Sequence, residues 1–185
     1  MARQKTIRIL IAVGIVVLVL LSAALVLLLK APPEEGGASK GPEEVFYLLE
    51  HGMDEVSHIS VTNENGFYDV TQKEGGFMVY DIPAELENAE YLQLLLDEAS
   101  RIAVSEKAAE APGDLSIYGL NRPRATVDVE YTDGSSARLL IGSEEPLSDG
   151  VYVQLSGDRA VYLMPRSYTV RFTMPVENYI QYEIT

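Results

Sequence analysis

Twenty-one consecutive uncharged residues, Ile9–Leu29 (ILIAVGIVVLVLLSAALVLLL), constrain this chain more than any other feature. At ~1.5 Å per residue they reach about 30 Å, the depth of a bilayer's hydrocarbon core. The run predicts one transmembrane helix over 9–29. Its β-branched residues are tolerated in lipid because every backbone amide must be paired within the segment, and a soluble core helix seldom runs so far without a polar face. Arg3, Lys5 and Arg8 fall in the short flank 1–8, which places that flank in the cytoplasm and sends the rest outward. A cleavable signal peptide is the rival reading, because Ser22-Ala23-Ala24 resembles a small-residue cleavage site. Against it, the apolar residues Leu25–Leu29 follow that site, where mature proteins normally begin with polar sequence, and there is no cysteine to carry a lipid. An uncleaved single-pass anchor is the expectation.

Charge divides the chain in the same place. Of 185 residues 28 are acidic and 14 basic. The first thirty hold four of the basic groups and no acid, so 10 basic groups face 28 acidic ones from Ala31 onward. So acidic an outer portion would repel a phosphate backbone, which excludes nucleic acid as a partner. Absence of cysteine excludes disulfide-stapled and zinc-ribbon folds, and a 47% hydrophobic composition excludes a wholly disordered chain. Residues 30–42, with three prolines and three glycines, have the composition of a flexible linker. That leaves 43–185 for one extracytoplasmic domain.

Period-two alternation marks most of that domain. Ile59 and Val61, then Tyr68 and Val70, then Phe77 and Val79 predict a three-strand meander. The period then changes: Leu92, Leu95, Leu96, Ala99, Ile102 and Ala103 recur at helical spacing behind an N-cap at Asn88, with Glu90, Gln93, Asp97, Glu98 and Arg101 on the other faces. Alternation resumes at Ala125, Val127, Val129 and Tyr131, turns at Asp133-Gly134, and returns through Ala137, Leu139 and Ile141. Val151, Val153 and Leu155, a Ser156-Gly157-Asp158 turn, and Val161 and Leu163 form a further hairpin. A short helix is expected from Arg166 to Met174, before Pro175. The fold class is α+β: antiparallel strand meanders packed on one amphipathic helix, preceded by the membrane helix.

Residues 45–164 resemble a bacterial family, the domain of unknown function 4340. The resemblance rests on VSHISVTNENGFYDVTQKEGGFMVYDIP, a leucine-rich helix, IYGLNRPRATVDVEYTDG, LLIG, VYVQL and AVYLM in that order. Its most specific piece is Tyr118-Gly119-Leu120 with Pro123, the strand Thr126–Val129 and later Ile141-Gly142. The resemblance implies an anchored or exported protein with a strand-rich outer domain, in some members encoded beside ABC-type export systems, and it brings no catalytic residues. Relatives commonly carry tryptophan before the third strand's apolar residue, where this chain has Phe77.

The residues themselves nominate no catalytic, cofactor-binding or metal-binding site. The two histidines, His51 and His58, are remote from any Gly-x-Ser-x-Gly turn and lack the cysteine partners of a metal site; His58 is expected on a solvent face. Asp128 and Glu130 alternate with Val127 and Val129, the ordinary place for solvated charge rather than a glycosidase pair. Asp133-Gly134 and Gly157-Asp158 read as turns, not calcium loops. Arg122 and Arg124 are expected to meet nearby carboxylates, and Tyr179 and Tyr182 in the tail to pack, although the tail alternates enough to add a strand or meet a partner. The expected role is non-enzymatic: a single-pass, membrane-anchored domain making protein contacts, which the resemblance extends to ABC-type transporter subunits. The alternative is an extracytoplasmic module binding envelope polymer or a small molecule.

Overall fold

A computed structural model describes residues 44–73 and 76–181 of the chain. All of them lie in one compact unit, Pro42–Thr185. The expected membrane helix 9–29 and linker 30–42 lie outside the described residues, among which no helix is long and apolar enough to cross a membrane.

The strands are β1 (Phe46–Glu50), β2 (Val56–Asn63), β3 (Gly66–Lys73), β4 (Gly76–Val79), β5 (Arg101–Val104), β6 (Glu106–Ala109), β7 (Ala125–Tyr131), β8 (Ser136–Glu144), β9 (Gly150–Leu155) and β10 (Val161–Pro165). Among the described residues, eight of them form one sheet in the order β4-β3-β2-β7-β8-β9-β10-β6, and β1 pairs with β5 in a separate two-stranded sheet. Every pairing is antiparallel. Helix α1 (Ala89–Ser100) and the single turn α2 (Val170–Thr173) complete the α+β architecture.

Register explains how the alternation becomes a core. Tyr68, Val61, Val127 and Leu139 stand opposite one another across four strands, as do Val70, Ile59 and Val129, and Ile141, Val153 and Tyr162. These side chains are buried on one face, against Leu92, Leu95, Leu96 and Ala99 of α1 and Phe172 of α2. Val56 and Ile59 are both buried although three residues apart, and a bulge between Val56 and His58 restores the phase by inserting one residue. Phe77 is half-buried against the same core.

The α1 stripe ends sooner than its spacing predicts. Asn88 caps α1, its Oδ1 accepting from the Tyr91 N–H at 3.2 Å, but the helix stops at Ser100. Ile102 and Ala103 belong to β5 instead, where Leu49 stands opposite Ile102 and Tyr47 opposite Ala103. Ile102, Ala103 and Val104 are all buried, and a short strand covered on both sides shows no alternation to distinguish it from a helix. β1 and β6 are likewise unannounced: Phe46–Glu50 and Glu106–Ala109 are short and do not alternate cleanly. The expected C-terminal helix is a 3-10 turn at Arg166–Tyr168 followed by α2, and Met174 leaves it with extended backbone before Pro175. Beyond it, the Asn88 N–H donates to Tyr179 O at 2.7 Å and the Gln181 N–H to Leu86 O at 2.6 Å, so part of the tail does add a short pairing.

The Tyr118-Gly119-Leu120 and Ile141-Gly142 pieces meet in space. Gly119 ends a 3-10 turn at φ 70°, and a Cβ there would lie 2.7 Å from Ser143 N. Gly142 occupies a second bulge, where β8 advances three residues while β9 advances two, and a Cβ on it would overlap the Tyr118 carbonyl oxygen. Two backbones approach each other there without room for a side chain. Gly142→Ala is expected to destabilise the domain by about 1–3 kcal/mol through that overlap, read as a lower urea midpoint at unchanged slope; an unchanged midpoint would show that the approach is slack.

Candidate functional site

The face of the large sheet opposite the core carries the polar members of each alternating strand. Asp69, Ser60, Asp128 and Arg138 form one cross-strand row, and Thr71, His58, Glu130 and Ser136 the next. A hollow of about 570 Å³ lies there, lined among others by His58, Ser60, Asp128, Ser136, Arg138 and Ser156. His58 is half-buried, not simply solvated: its Nε2 is 3.0 Å from Asp69 Oδ1 on the neighbouring strand. Arg138 Nε donates to Asp128 Oδ1 at 2.6 Å, which raises the already high guanidinium pKa further. Asp128 and Glu130 face outward as their alternation predicts.

A second polar cluster is inside. Glu98, assigned by its charge to a polar face of α1, is 9% exposed. It stands three residues after Leu95 and one before Ala99, on the apolar side of the helix. Its Oε1 is 3.2 Å from Arg171 Nη1, and Oε2 is buried with no hydrogen-bond partner among the described residues. The Arg171 carbonyl accepts from the hydroxyls of Tyr68 at 2.7 Å and Tyr179 at 3.1 Å. Burial pushes the Glu98 carboxyl up to about 8, outweighing the attraction of Arg171. The same desolvation raises Tyr68 to about 12 and drives Tyr179 higher still. Burial thus favours the protonated carboxyl, which contacts Arg171 of α2 from α1.

Most of the remaining sequence candidates sit in a ring stack, ion pairs and turns. His51 stacks on Tyr131 with ring centroids 3.8 Å apart. Arg124 meets Glu144 at 3.2 Å and Glu64 at 3.7 Å, while Arg122 has no carboxylate partner among the described residues. Arg166, followed by Arg124, holds the exposed Glu144 carboxyl below its ordinary range. Asp133 is a turn residue, its Oδ1 accepting from the Ser135 N–H and Oγ. Tyr179 is fully buried, and Tyr182 lies outside the described residues. Among the described residues no three His, Asp or Glu side chains are grouped to hold a metal ion.

These features define an antiparallel α+β domain with one sheet face sealed by helices and the C-terminal segment, and the other polar and accessible across β3, β2, β7 and β8, while β10 is buried on both sides. A family model, the domain of unknown function DUF4340, matches residues 80–184. That is more than half of the chain, and the protein belongs to this family. The match begins at Tyr80, beyond the first four strands, and continues past 164 through the C-terminal segment. No curated protein and no solved structure matches the chain significantly.

Between about pH 4.5, the ordinary carboxyl value, and about pH 8, folded Glu98 retains a proton that the unfolded chain has released. Its contribution to stability is therefore complete below that window and is lost as pH rises through it. Glu98→Gln is expected to flatten this decline, narrowing by about 2–4 kcal/mol the stability difference between pH 5 and 9 in urea titrations; parallel pH profiles for the two proteins would contradict a protonated Glu98.

Proposed function

We propose that the protein is a non-enzymatic, single-pass membrane protein whose extracytoplasmic domain makes protein contacts, as an accessory to an ABC-type transporter. The anchor follows from the uncharged run 9–29 and its basic flank; the transporter link rests on the family resemblance. The observation that carries a contact role is the free edge of β1. Among the described residues this strand pairs on one side only, with β5, and it holds Phe46 and Tyr47 at 44% and 42% exposure. A cavity of about 300 Å³, lined by Met53, Glu90, Gln93, Leu94 and Asp97, adds partly apolar relief along α1. An unpaired strand edge with exposed aromatic side chains is what a partner's extended segment recognises: main-chain hydrogen bonds supply affinity and the side chains specificity.

The detergent-solubilised full-length protein is expected to co-purify with integral-membrane transporter subunits, and Phe46→Ser with Tyr47→Ser to reduce that recovery about tenfold or more without unfolding the domain. Recovery of the protein alone, or equal recovery by the double variant, would overturn the reading. The hollow on the polar sheet face favours a second role, capture of a small molecule of the envelope.

A further inference from the structure

At the β3–β4 margin of the large sheet lies a smaller slot of about 310 Å³, lined by Phe67, Tyr68, Asp69, Tyr80, Asp81 and Val176. Two aromatic rings there are unusually uncovered: Tyr80 is 70% and Phe67 60% exposed, against 4% for Tyr68. Packing does not account for either ring. The charged groups lining the slot are both carboxylates, and no basic residue lines it. Asp69 engages His58 through Oδ1, whereas Asp81 has no hydrogen-bond or ion-pair partner among the described residues. Asp81 is also the one non-glycine residue among them at positive φ, 65°. That conformation carries strain which the local turn sustains, with the Tyr80 N–H donating to Asp69 O at 2.9 Å and the Ile82 N–H to Val79 O at 3.3 Å.

Exposed aromatic rings beside carboxylates suit one ligand chemistry. A ring's quadrupole attracts a cation over its face, and an adjacent carboxylate adds direct charge. We propose that this slot binds a small free organic cation through its ammonium head, primary or quaternary, between the rings of Phe67 and Tyr80 and the carboxylates of Asp69 and Asp81. The volume admits one such head with a short chain. The acidic excess beyond Ala31 concentrates cations near it. The site is separate from the β1 edge, and it and the protein-contact role stand or fall independently.

The test uses the full-length protein in a detergent with an uncharged, non-choline head group, titrated by calorimetry with choline and with its neutral isostere 3,3-dimethylbutan-1-ol. Choline is expected to bind saturably and the isostere about tenfold more weakly or not at all, because only the charge differs. Tyr80→Ala and Asp81→Asn are each expected to weaken choline binding about fivefold or more. Both residues are at the surface, so the urea midpoint serves as the control for folding. Equal binding of the two probes would make the slot merely apolar and overturn the proposal. So would absence of choline binding, its persistence in both variants, or binding confined to phosphatidylcholine vesicles, which would assign the slot to a lipid surface.

Discussion

One constraint organises the domain: an eight-stranded antiparallel sheet must bury one face, and a single twelve-residue helix is too small to cover it. The C-terminal segment supplies the rest of the cover. Phe172 and Tyr179 are completely buried, and Asn63 Nδ2 donates to the carbonyls of Phe172 and Met174, each at 3.0 Å. Tyr68 and Tyr179 converge on the Arg171 carbonyl. The β2–β3 hairpin and the residues that roof the sheet are thus tied by polar bonds among apolar contacts, where an unpaired group would be costly. The segment through Tyr179 is therefore part of the core, and the DUF4340 match over residues 80–184 includes it.

Most of the sheet was legible in the sequence because one of its faces meets solvent. Val127, Val129 and Tyr131 alternate with Asp128 and Glu130, and the Asp133-Gly134 turn fixes their return through Leu139 and Ile141. What alternation could not reveal were strands with both sides covered. Ile102, Ala103 and Val104 form a continuous apolar run whose spacing also suits a helix, and only the pairing with β1 decides between them. Glu98 was concealed differently. A glutamate on an amphipathic helix reads as solvated, yet its place three residues after Leu95 puts it on the buried side, where Arg171 from a distant segment meets it. That partner lies 73 residues away, and no local pattern announces it. His58 is similar: its outward position follows from alternation, whereas the carboxylate of Asp69 comes from the register of β2 on β3.

The two faces of the sheet use charge in opposite ways. On the open face, the ion pair of Arg138 with Asp128 is accessible to water and screened by salt, so it contributes little to stability and leaves the surface chemically adaptable. On the closed face burial opposes the attraction of Arg171 and disfavours ionisation of one acid, Glu98. The polar hollow and the β1 edge lie outside that sealed interior, whereas the aromatic slot borders it through Tyr68, whose hydroxyl donates to the Arg171 carbonyl. Changes at the first two recognition surfaces need not propagate into the contacts that maintain the fold.

The Val79 position of β4 has a consequence for how copies of the domain behave when crowded. Its N–H donates to Glu87 Oε1 at 2.7 Å and its carbonyl accepts from the Ile82 N–H, so both backbone groups are already satisfied within the chain. A foreign strand approaching this margin finds no vacant ladder to join at that point, and a negative charge is stationed where it would dock. Proteins kept at high local density need such a stop, since sheet margins left unguarded invite runaway stacking. Here a single carboxylate, reaching from the segment before α1, occupies that point of the margin.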